Sequence, residues 1–142
     1  MRLQLALNVA DLDEAIDFYT RMFGVGPAKT RPGYANFAID QPPLKLVLFE
    51  GAGPSGSINH LGVETETAAE VVAAEARLGE AGLDTSGVDD TVCCYAEKTE
   101  TWVHDPDGTR WEWYVKTADT EQFVNTVVGA HAHEGGATCC AS

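Results

Sequence analysis

The sequence predicts an α+β fold in which two βαβββ modules pair to form an incomplete barrel with a concave inner face. Three observations predict it: strand-length segments of alternating hydrophobicity surround two amphipathic helical segments, a helix-capping signature occurs twice, and a turn followed by a strand occurs twice in matching places. A chain of 142 residues is long enough to bury one core without covalent staples. One domain is expected over 1–116, with modules at about 2–50 and 57–116 and a flexible tail over 117–142.

In chain order, RLQLALNV at 2–9 alternates, with Leu3, Leu5, Leu7 and Val9 on one face and Gln4, Ala6 and Asn8 on the other, so it reads as a strand. DLDEAIDFYTRMFG follows with Leu12, Ala15, Ile16, Tyr19 and Phe23 at helical spacing. Asp11 is the N-cap, Glu14 follows three residues later, and Gly24 is the terminator. Strands are expected at about 26–30, at 34–40 (YANFAID) and at 44–50 (LKLVLFE), the last two joined by Gln-Pro-Pro. GAGPSGS at 51–57 is a connector, after which SINHLGVET reads as a strand. Thr67 and Glu70 then repeat the capping signature before a helix carrying Val71, Val72, Ala76 and Leu78 that stops near Gly82. Setting Gln4 on His60 also sets Asp11 on Thr67 and Glu14 on Glu70. Aligning FAIDQPPLKLVLF with WVHDPDGTRWEWY sets Val47 on Glu112.

Composition narrows the function. The net charge of -13 repels nucleic-acid phosphates and anionic membrane surfaces, so neither nucleic acid nor membrane is an expected partner. The chain has no apolar run of membrane-spanning length and no basic-then-apolar leader, which makes the cytoplasm the expected compartment. Its 4 cysteines come as two adjacent pairs, Cys93-Cys94 and Cys139-Cys140. Neighbouring cysteines fit disulfide geometry poorly, so the first pair is expected as two thiols.

Strand parity places four equivalent side chains on the inner face: Gln4, Val47, His60 and Glu112. Singly, each has a plain explanation: an edge-strand amide, a hydrogen-bonded core histidine, a carboxylate facing solvent between Trp111 and Trp113. Jointly, at equivalent places of a duplicated unit, they converge on a metal. One imidazole, one carboxylate and one amide oxygen resemble the facial triad of non-haem Fe(II) oxygenases, and Val47, which cannot coordinate, leaves positions open for O2, water or substrate. The same donors also suit Mn(II), Ni(II) and Zn(II). No catalytic residue beyond these ligands is read from the sequence.

The paired βαβββ plan, with Gln4, His60 and Glu112 at ligand positions and DPDG before WEWY, resembles the vicinal oxygen chelate superfamily of glyoxalase I, bleomycin resistance proteins and extradiol dioxygenases. QLALNV, PGYANFAI, PPLKLVLFEG, NHLGVE and above all TVCCYA are similar to the organoarsenical carbon–arsenic lyases and the related cadmium-inducible proteins, over about residues 2–115. The resemblance implies Fe(II)- and O2-dependent cleavage of trivalent organoarsenicals such as methylarsenite to arsenite and formaldehyde, with Cys93 and Cys94 binding the substrate. Superfamily members are commonly dimers, so a homodimer is compatible with the resemblance, and the sequence leaves the oligomeric state open. His104-Asp-Pro-Asp-Gly108 departs from the glycine-rich turn usual in the narrower family, and His104 is read as a turn residue.

Thiolates select soft ions such as trivalent arsenic and Cd(II) over the hard cations that outnumber them. In a regular strand Cys93 and Cys94 would face opposite ways, so joint capture of one atom requires a loop or bulge, and the turn formers of SGVDDTV favour a mobile loop. The plain alternative is that both pack as small hydrophobes, with Tyr95 as further packing. His131, His133, Cys139 and Cys140 lie in the glycine-rich tail and add a second, thiophilic reading. Two other functions stay open: a non-catalytic cadmium- or arsenite-binding resistance protein, and a glyoxalase- or dioxygenase-type enzyme in which the thiols are incidental.

Overall fold

The computed structural model describes residues 1–130; His131, His133, Cys139 and Cys140 lie outside the described residues. The chain divides into two compact units, one spanning 2–61 and one running from 62 onward, to which Met1 also belongs. Each unit builds its own core.

In the first unit, β1 (Arg2–Val9) is followed by α1 (Leu12–Phe23), β2 (Lys29–Arg31), β3 (Tyr34–Ile39) and β4 (Leu44–Glu50), with β5 (Ile58–Glu64) beginning at its end. The strand order is β2-β3-β4-β1-β5. β1 runs parallel to β4, while β3 pairs antiparallel with both β2 and β4. Asp11 caps α1 by accepting from the Glu14 N–H at 2.9 Å, and Gly24 closes it at φ 71, in the left-handed region open to glycine. The apolar face of α1 packs on Phe37, Ile39, Leu46 and Leu48, with Leu5, Leu7 and Val9 alongside. Leu5, Leu7 and Val9 of β1 therefore serve the core while Leu3 stays exposed, and Gln4, Ala6 and Asn8 are buried on the opposite face.

In the second unit, α2 (Ala68–Glu80) is followed by β6 (Asp89–Cys93), β7 (Ala96–His104), β8 (Arg110–Asp119) and β9 (Thr126–Ala130), in the order β8-β7-β6-β9 and antiparallel throughout. The capping box at the start of α2 is complete: Glu70 N–H donates to the Thr67 hydroxyl at 3.3 Å and Thr67 N–H donates to the Glu70 carboxylate at 2.9 Å. The carboxylate also accepts from the Glu66 N–H at 2.8 Å, and these backbone donors hold Glu70 below the usual carboxylate range. Val71, Val88 and Val115 form the apolar centre under α2.

Two segments differ from expectation. DDTVC is a strand rather than a loop, because the β-branched Thr91 and Val92 are paired on both sides, by β7 and by β9. Chain order persists past 116: β8 continues to Asp119, and TVVGA forms β9 against β6. Among the described residues no helix is long and apolar enough to cross a membrane.

Candidate metal and thiol sites

Gln4 on β1 and His60 on β5 meet in the first unit, 4% and 3% exposed, with the Gln4 side-chain nitrogen 3.0 Å from His60 Nε2. The contact ends a chain of hydrogen bonds with one consistent direction. Ser57 Oγ donates to the Pro54 carbonyl, Asn8 Nδ2 donates to Ser57 Oγ at 2.9 Å, and Asn59 Nδ2 donates to Asn8 Oδ1 at 3.0 Å. Asn59 Oδ1 can only accept, so His60 Nδ1, 2.8 Å away, carries the ring proton. The network thus assigns the tautomer that leaves the Nε2 lone pair pointing at Gln4. Gly53 keeps the chain intact: a Cβ there would stand 2.7 Å from Asn8 Nδ2.

A half-turn of the Gln4 amide puts its oxygen where its N–H now stands. Amide oxygen and imidazole nitrogen then offer two lone pairs to one cation, and the hydrogen bond from Nδ1 to Asn59 is the support that metal-binding histidines ordinarily have. The donor chemistry fits a divalent metal. Val47 is buried at 4% exposure and contributes no donor.

Glu112 lies on β8 in the second unit and is fully buried, while its neighbours Trp111 and Trp113 are only partly buried. Its Oε1 accepts from Lys98 Nζ at 2.8 Å. The same ammonium stands 3.8 Å from Glu100 Oε2 and 5.0 Å from the centre of the Tyr114 ring. Glu100 Oε1 accepts from the Trp102 indole at 3.1 Å. Burial, only partly offset by Lys98, together with the neighbouring Glu112 pushes the Glu100 carboxyl up to about 8. Lys98 and Glu100 were not anticipated. Their one available signal was parity, since both alternate with Trp102 along β7.

Cys93 ends β6, and Cys94 and Tyr95 form the two-residue turn into β7. Their φ angles of 52° and 63° lie in the left-handed region, where side chains other than glycine are strained. Positive φ at both positions is the type I′ pattern of two-residue hairpins, and the turn also breaks the alternation that would have sent the two sulfurs apart. The Sγ atoms contact at 3.0 Å, about 1 Å longer than a disulfide bond, so each sulfur is the other's partner. Segment 120–123 ties the turn down. Cys94 N–H donates to the Phe123 carbonyl at 3.0 Å, Tyr95 N–H to Gln122 at 2.9 Å, and Thr120 N–H to Tyr95 at 3.0 Å, with the Tyr95 and Phe123 rings 5.5 Å apart. The pair thus sits on an anchored turn, not in the loop expected, and Cys93 and Cys94 are buried at 0% and 8% exposure.

Register puts the thiol of Cys93 and the Glu112 carboxylate on one face, opposite Ala96 and Trp102 respectively and so about 20 Å apart along β7. Cys93 pairs with Ala96, Thr91 with Lys98, Asp89 with Glu100, and Trp102 with Glu112, so Cys93, Lys98, Glu100 and Glu112 share one face of the second unit's sheet. His104 is exposed at the end of β7, ahead of a turn in which Asp105 Oδ1 accepts from the N–H groups of Asp107 and Thr109. Among the described residues there is no cluster of three histidine, cysteine or acidic side chains.

A protein-family model described as the Glyoxalase/Bleomycin resistance protein/Dioxygenase superfamily matches residues 3–113. The chain is 55% identical to a trivalent organoarsenical cleaving enzyme of Thermomonospora curvata, over 87% of this chain and 82% of that protein. It is 51% identical to the cadmium-induced protein CadI of Mycobacterium tuberculosis, over 98% of this chain and 91% of that protein. Among solved structures, the Mn(II)-bound glyoxalase from Novosphingobium aromaticivorans has the same fold at a TM-score of 0.59 and 18% identity, covering 84% of this chain and 40% of that one. With two βαβββ units in the chain and the family model spanning both, the chain belongs to the glyoxalase/bleomycin resistance protein/dioxygenase superfamily.

Proposed function

We propose that the protein cleaves the carbon–arsenic bond of trivalent organoarsenicals using Fe(II) and O2, with Gln4, His60 and Glu112 as the protein donors to the metal and Cys93 and Cys94 as the substrate ligands. The observation that carries this reading is the shared face of the second unit's sheet, where a buried dithiol and a buried carboxylate belong to one surface. The name of the Thermomonospora relative supports the substrate class. Bound iron would supply the one-electron chemistry that lets O2 react with a closed-shell substrate.

The chain's own groups do the rest. The thiols of Cys93 and Cys94 displace the two hydroxyls of methylarsenite as two waters and fix the arsenic atom, which leaves the methyl group as its third substituent; water hydrolyses the two As–S bonds when arsenite leaves and restores the thiols. His60 keeps its lone pair directed by the Asn59 hydrogen bond, and burial excludes water around Glu112. The overall reaction balances: one methylarsenite and one O2 give one formaldehyde and one arsenite. The carbon loses four electrons, O2 takes them, and arsenic stays trivalent. Supplying Fe(II)-loaded protein with methylarsenite in air tests the proposal. One formaldehyde per arsenite is expected, and tight methylarsenite binding with no product would overturn it.

The second reading, thiol capture without chemistry, is favoured by the contacting sulfurs and by the cadmium-induced relative. It predicts that Cd(II) binding is lost in C93S and C94S alike while methylarsenite survives intact.

A further inference from the structure

Two buried acidic side chains on one sheet face need compensation wherever one is ionised, because an unpaired charge out of water is costly. Glu100 and Glu112 are 1% and 0% exposed, and Lys98, itself 6% exposed, supplies the positive charge. The arrangement is asymmetric. Nζ stands on Glu112 at 2.8 Å, while Glu100 Oε2, although buried, receives no hydrogen bond and lies 3.8 Å from the same ammonium. Trp102 holds the other Glu100 oxygen, so the open acceptor is fixed in place. The Tyr114 ring, 5.0 Å from Nζ, offers the ammonium a π face near both carboxylates.

A divalent ion arriving at Glu112 finds Oε1 already engaged and a positive charge beside it. Lysine, a point charge on a flexible stem, can move where a guanidinium fork cannot. We propose that Lys98 is the counter-ion that Glu112 gives up on metal uptake, its ammonium transferring to Glu100 Oε2. This rests on the reading of Glu112 as a metal ligand. Lys98 then sets the threshold for metal binding, and Glu100 Oε2, 3.8 Å away, gives the displaced ammonium its second position.

The test is an oxygen-free titration of the metal-free protein with Mn(II), reading the free ion by its electron paramagnetic resonance signal, with unfolding temperatures taken on the same samples. K98M removes both competitor and repulsion, so it should bind Mn(II) about ten-fold more tightly or better while its metal-free form unfolds at lower temperature. K98R keeps the charge but not the freedom to move, so it should bind Mn(II) more weakly than wild type. E100Q removes the second position and should bind several-fold more weakly, an effect that vanishes in K98M/E100Q. Binding by K98M that is equal to or weaker than wild type overturns the proposal, as does an E100Q defect that persists in the K98M background. If K98M does not fold, E100Q decides alone, since unchanged Mn(II) affinity there refutes the transfer. Wild-type protein that takes up no Mn(II) instead refutes Glu112 as a ligand, and the lysine proposal with it.

Discussion

The first unit positions its candidate donors with neutral hydrogen bonds, whereas the second positions its own with charge. From Ser57 through Asn8 and Asn59 to His60 and Gln4, each link in the first unit joins uncharged groups whose directions agree. In the second unit, Glu112 is held by a buried ammonium shared with Glu100. Two modules with the same element order thus hold side chains at equivalent places by opposite physics. A neutral network sets geometry and tautomer and is insensitive to salt, while a buried ion pair holds its carboxylate by a charge that an arriving cation must displace.

The largest expected effect breaks the first arrangement outright. His60→Ala should abolish Fe(II) binding and turnover while arsenite still binds the thiols; C93S/C94S should do the reverse, keeping Fe(II) and losing arsenite. Metal analysis and arsenic binding on the same samples separate the two, and joint loss in either variant would mean a folding defect or a single inseparable site. Next in size is Asn59→Ala, which frees the imidazole to turn. A ten- to hundred-fold fall in metal affinity is expected, the usual effect of removing such support, without loss of thiol binding. Gly53→Ala should move affinity in the same direction by less, because its Cβ would push Asn8 out of the chain.

The second arrangement is sharpened by pH. The Glu100 carboxyl is raised from an ordinary 4.5 to about 8, so between those values the folded chain holds a proton that the unfolded chain releases. More protons bound folded than unfolded means that stability falls as pH rises. The metal-free protein should lose stability across about pH 4.5 to 8, and E100Q should flatten that slope, as measured by denaturant unfolding at several pH values. A slope unchanged in E100Q would place the proton elsewhere. The smallest effect is Thr67→Ala, which removes half the capping box and should cost about 1 kcal/mol in unfolding experiments, with metal and arsenic binding untouched.

Much of this comparison was legible in the sequence, for reasons that can be named. Asp11, Thr67 and Glu70 announce the helix starts because a cap is a local hydrogen bond between residues three apart. Gln4, Asn8 and Glu112 were placed on buried faces by alternation alone. Strands β6 and β9 were missed because their evidence is each other: DDTVC and TVVGA become strands by pairing across more than thirty residues, which periodicity does not register. Lys98 and Glu100 were passed over because charged residues on a strand ordinarily face water, and only the register with Glu112 and Tyr114 brings them inside. The anchored turn at Cys94 and Tyr95 escaped because neither residue type favours positive φ.

The central claim is that Gln4, His60 and Glu112 together hold one metal ion. Its most direct test is the stoichiometry of Fe(II) bound anaerobically by wild type, Q4A, H60A, E112A and the double variant C93S/C94S. The account predicts one Fe(II) per chain in wild type and in the cysteine double variant, and none retained through desalting by the three ligand variants. Full retention of iron by any of those three, or its loss with the two cysteines, would contradict it.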